Sequence, residues 1–163
     1  MKKREIQKKA TKSLLLKTAK EVFTKKGFLN TTTAEIAKKT NVAHGTLFLH
    51  FKNKETLIIE IFQQELIKMT DELHNLLNNS YDIKILLDRY LTYLIKEEDF
   101  FSTIAKELPF YQDDLKRQIF FRESGTRSYF IEALEKGIKQ NNASLESILI
   151  IFGKGIIWNT ENT

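Results

Sequence analysis

The chain of 163 residues contains no cysteine, which excludes disulfides, thiolate nucleophiles and cysteine-bound metals. It contains a single proline, Pro109, where one helix must end. No apolar run is long enough to span a bilayer, and no apolar core follows the Met1-Lys2-Lys3-Arg4 start. Neither a membrane partner nor a secretory signal is expected, and the location expected is cytoplasmic. Strand-type alternation, a fixed-period repeat and low-complexity linkers are all missing. The three histidines, His44, His50 and His74, have neither metal-ligand spacing nor a nearby nucleophile. Gly153-Lys154-Gly155 follows no strand and lies among apolar residues, unlike a phosphate loop. No metal, no cofactor and no enzymatic activity are expected.

What is present is uneven charge. The net charge is +5, but residues 1–56 hold 14 Lys and Arg against 4 Asp and Glu, while residues 57–163 hold 12 against 17. A basic head on an acidic remainder points to a polyanion at one end of the molecule.

Helical periodicity accounts for the rest. From Lys8 to Lys26, Leu15, Ala19, Val22 and Phe23 recur on one face, and Gly27 closes the helix. Thr32 with Glu35 three positions on matches a capping box, so a short helix starts near Thr33. Asn41 tolerates the left-handed turn that must follow, and a second short helix is expected from about Ala43 to Phe48. Such a pair, held by a larger body, is the usual device for placing one helix in the DNA major groove. Asn53 caps a long helix reaching Leu77. Further helices are expected from Asp82 to Lys96, from Asp99 to just before Pro109, from about Asp113 to Asn141 with Gly125 as a possible break, and from Leu145 to Trp158. The fold expected is all-α: an N-terminal three-helix helix-turn-helix head, residues 1–56, on a C-terminal helical-bundle body, residues 57–163.

The order Val22-Phe23, Lys26-Gly27-Phe28, Thr31-Thr32, Ile36-Ala37, Val42, Gly45-Thr46-Leu47-Phe48, His50-Phe51 and Lys54-Glu55 resembles the TetR family of bacterial transcription regulators. The resemblance implies a ligand-responsive DNA-binding regulator, a repressor acting on a near-palindromic double-stranded operator as a homodimer. It places Thr33, Phe48 and His50 at phosphate-contact positions, His44, Gly45 and Thr46 in the groove, and Lys54 as a cation at the start of the long helix. The sequence departs from the family pattern at position 44, commonly Lys or Arg, at 48, commonly Tyr, and at 43, often Ser or Thr. By the same resemblance, Ile148, Ile151, Phe152, Ile156 and Trp158 form a dimer interface. The chain stops one helix short of the family's usual length, which is expected to reflect either a shortened protein or a fragment.

The body is rich in aromatics. As a ligand cavity it would hold a small apolar or aromatic effector, with Tyr90, Tyr93, Phe101 and Phe130 as candidate walls; as a plain core it would simply bury them. A rival from another class is a non-catalytic helical interaction module whose basic head binds anionic membrane or a protein partner.

Overall fold

The computed structural model of the chain describes residues 3–77 and 83–139. Among them all regular structure is helical: α1 Lys3–Lys26, α2 Thr33–Lys39, α3 His44–Phe48, α4 Lys54–Leu77, α5 Ile83–Lys96, α6 Glu98–Glu107 and α7 Asp113–Lys139, with a 3-10 turn, Leu108–Phe110, between the last two. The boundaries follow the expected caps. Thr32 Oγ1 accepts the amide of Glu35, and Asn53 Oδ1 accepts both the amide and the hydroxyl of Thr56, at 2.8 and 2.6 Å. Each such cap contributes about 1 kcal/mol. Gly27 and Asn41 take positive φ, 87° and 58°, where the chain must leave α1 and α2. α1 starts five residues before the expected Lys8, and α7 runs unbroken through Gly125. The expected helix from Leu145 to Trp158 lies outside the described residues.

The chain groups into two compact units. The first comprises Met1–Gln64 with Asp99–Gln118, and the second Glu65–Glu98 with Ile119–Thr163. In the first, Leu15, Phe23, Ile36, Leu47 and Phe51 form a fully buried centre where α1, α2 and α3 meet. Phe28 follows the Gly27 turn and packs back on Phe23, ring centroids 4.7 Å apart, and edge-on to Phe100 of α6 at 6.0 Å. α6 is thus part of the same core as the amino-terminal helices, a partnership that no local pattern in the sequence announces.

In the second unit Glu65 is buried, 2% exposed. A carboxylate so placed needs donors, and it has them: Tyr93 Oη at 2.9 Å and Lys68 Nζ at 2.8 Å. Lys96 lies over the Tyr93 ring, 6.0 Å from its centroid. No helix among the described residues is long and apolar enough to cross a membrane.

Candidate nucleic-acid interface

α2, the Asn41 turn and α3 build the surface to which the basic charge and short-helix signals point. The Val42 amide returns to Ala37 O at 3.0 Å and closes the turn. Thr40 Oγ1 donates to Ile36 O at 2.7 Å. Glu35 does not complete the capping box; its carboxylate pairs with Lys26 of α1 instead, tying the two helices together. Ala43 gives α3 no side-chain cap, so this five-residue helix is held by burial of one face. Leu47 carries that burial at 0% exposure, while Phe48 and Leu49 stand out at 47% and 76%.

The outer face therefore consists of His44, Gly45, Phe48 and Leu49, all exposed, with Thr46 half-buried. His44 is oriented by two neighbours. Its Nε2 is hydrogen-bonded to Thr33 Oγ1 at 3.0 Å, and its ring meets Phe48 edge-on at 5.0 Å. A Cβ added at Gly45 would touch nothing within 4 Å, so the chain itself gives no steric reason for glycine there. The bare backbone leaves room for something outside the chain.

Charge frames this face. Lys38 and Lys39 of α2 and Lys52 beyond α3 are exposed. On the other flank a cleft of about 420 Å³ is lined by Glu5, Lys8, Lys9, Lys12 and His50. Lys12 is committed, paired to Glu60 at 2.6 Å and lying over the Phe51 ring. His50 Nδ1 is buried with no hydrogen-bond partner. Burial, then the fields of Lys8 and Lys12, lower the His50 pKa, against an opposing pull from Glu60.

Lys54, expected to add a cation to the DNA side, is turned to the chain's own loop. Its ammonium donates to Phe28 O at 2.8 Å and Thr31 O at 3.2 Å, a half-buried position that ties α4 to two carbonyls of the loop after α1. Thr33 is half-buried, and its hydroxyl is engaged with His44. Glu107 at the end of α6 was not anticipated: its Oε2 accepts the Leu29 amide at 2.9 Å. A pairing across 78 residues has no sequence signal short of the fold itself. Leu49, beside Phe48 at the end of α3, is an exposed apolar residue whose outward direction only the fold reveals.

The residues suggested as effector walls fall in different units. Tyr90 and Tyr93 are buried in the second unit. Phe101 belongs to the first, packed edge-on against Phe62 at 6.3 Å and Phe100 at 5.5 Å. The side chain of Phe130 and the residues Ile148, Ile151, Phe152, Ile156 and Trp158 lie outside those described.

The fold and this surface define a helix-turn-helix protein. Residues 15–61 match the sequence model described as bacterial regulatory proteins, tetR family. The HTH-type transcriptional regulator QacR of Staphylococcus aureus is 46% identical over 54 residues, which span 33% of this chain and only 29% of QacR. The HTH-type transcriptional regulator YhgD of Bacillus subtilis is 30% identical over 135 residues, 78% of this chain and 69% of that protein. The crystal structure of FadR from Bacillus subtilis in complex with stearoyl-CoA has the same fold, with a TM-score of 0.69 at 23% identity over 86% of this chain and 81% of that one. The chain belongs to the TetR family of bacterial regulatory proteins.

Proposed function

We propose that the protein is a ligand-responsive transcriptional repressor that binds a near-palindromic DNA operator as a homodimer. The observation that carries this is the outward face of α3, exposed at His44, Gly45 and Phe48 and framed by exposed lysines on a head of strong positive charge. Residues 1–56 serve DNA binding and residues 57–163 serve effector binding and dimerisation. His44, Gly45 and Thr46 enter the major groove. Thr33 and His50 lie along the phosphate edge, and Lys54 acts from behind by holding the loop that supports α2. Two heads meet successive grooves about 34 Å apart.

The effector is a small apolar or aromatic molecule held in the body, with Tyr90 and Tyr93 as its candidate walls. That the FadR relative in fold was crystallised with stearoyl-CoA supports a ligand with a long apolar portion. Ile148, Ile151, Phe152, Ile156 and Trp158 are assigned to the dimer contact. Effector and operator then oppose each other with a coupling of about 1–3 kcal/mol.

Selection of bound duplexes from a random pool at near-physiological salt tests the proposal. A near-palindrome with half-site centres one helical turn apart is expected. Recovery of no enriched sequence, with equal binding to every duplex, would refute it.

A further inference from the structure

We propose that the head reads its operator through the 5-methyl groups of thymine, with Phe48 and Leu49 as the residues that set specificity; this rests on the DNA-binding role proposed above. Base edges in the major groove are distinguished mainly by bidentate hydrogen bonds from Arg, Lys, Asn or Gln, or by apolar contact with the thymine methyl. From Ala43 to Leu49 the chain has none of those four polar residues. Its polar groups there are the His44 imidazole and the Thr46 hydroxyl. His44 already shares Nε2 with Thr33, leaving one ring nitrogen for a base, and Thr46 is half-buried.

The apolar side of the same face is larger. Gly45 is bracketed on the helix surface by Phe48 three positions on and Leu49 four positions on. Both are exposed, and the space above Gly45 is empty. The bare backbone at Gly45 thus lies beside two exposed apolar side chains, a surface that offers apolar contact to a methyl group. The edge-on His44 ring packs against Phe48, centroids 5.0 Å apart.

An exposed apolar patch serves a protein or a lipid surface as well. The charge around it decides for DNA: the head carries 14 basic against 4 acidic residues, and a polyanion is the complementary partner. Thymine is the unmodified base that presents a methyl group in the major groove.

The test uses the full chain and a duplex recovered from the random pool. Each thymidine is replaced in turn by deoxyuridine, which removes the methyl and keeps every hydrogen-bonding atom. At one or two positions in each half-site the wild type should bind about fourfold more weakly, the effect of exposing one buried methyl. That penalty should vanish in Phe48→Ala or in Leu49→Ala and persist in Phe48→Tyr, which keeps the ring. Deoxyuridine tolerated at every position, or penalties undiminished in both alanine variants, would overturn the inference while the DNA-binding role stands. A pool with no enriched sequence would remove both.

Discussion

His50 shows how neighbours set a single residue's chemistry. Its pKa lies below the ordinary 6.5 because the ring is desolvated and faces Lys8 and Lys12. In the unfolded chain the same ring takes up its proton near 6.5. Between the two values the unfolded state binds a proton that the folded state refuses, so stability falls as pH drops from above 6.5 toward the folded pKa. The melting temperature is therefore expected to decline from pH 7.5 to 5.5, and His50→Gln to decline less over that window. Equal slopes in the two proteins would show that His50 plays no part. The cap residues Thr32 and Asn53 and the positive-φ positions Gly27 and Asn41 were legible because their roles depend on near neighbours in sequence. The direction of the Lys54 side chain was not, since it is set by carbonyls at Phe28 and Thr31, more than twenty positions away.

At the scale of elements, the loop between α1 and α2 is the joint on which the head is assembled. Lys54 of α4 holds its carbonyls, Glu107 of α6 holds the Leu29 amide, and Thr31 Oγ1 donates to Gly27 O at 2.7 Å. A Cβ at Gly27 would fall 2.1 Å from Glu107 Oε1, and φ there is +87°. Gly27→Ala thus meets two costs, about 1–2 kcal/mol for the left-handed backbone and the displacement of the Glu107 carboxylate. Glu107→Ala alone should destabilise by about 1 kcal/mol, reduced from a fully buried charged hydrogen bond because the contact is open to solvent. Glu107→Gln, which retains an acceptor, should cost less. In the double variant the two losses should sum to less than their separate values, because the carboxylate is already gone. Urea denaturation of the wild type and these variants measures this, and strict additivity would show that Glu107 does not guard the Gly27 position. The helices themselves were readable from 3.6-residue periodicity. That α6 shares a core with α1 was not, since an apolar face states that it needs a partner but not which one.

At the scale of the whole molecule, charge distribution makes the strongest claim. Lys8 and Lys9 are exposed on α1 beside the His50 cleft, and under the proposed docking of α3 they meet backbone phosphate. Replacing both by Gln should weaken specific and random duplexes alike and reduce the salt dependence of binding by about one logarithmic unit per lysine that meets a phosphate. A change in sequence preference with an unaltered salt slope would place these lysines away from the backbone.

The sequence by itself determined the all-helical class, the helix-turn-helix stretch and the basic character of its end, because helical periodicity, capping and net charge are local or additive properties. The tertiary structure decided which groups remain available to a partner. It turned Lys54 inward, bound Thr33 to His44, buried Glu65 under Tyr93, and left Gly45 with Phe48 and Leu49 facing out. Those outcomes depend on contacts between residues far apart in the chain, and they exist only once the chain has closed around its core.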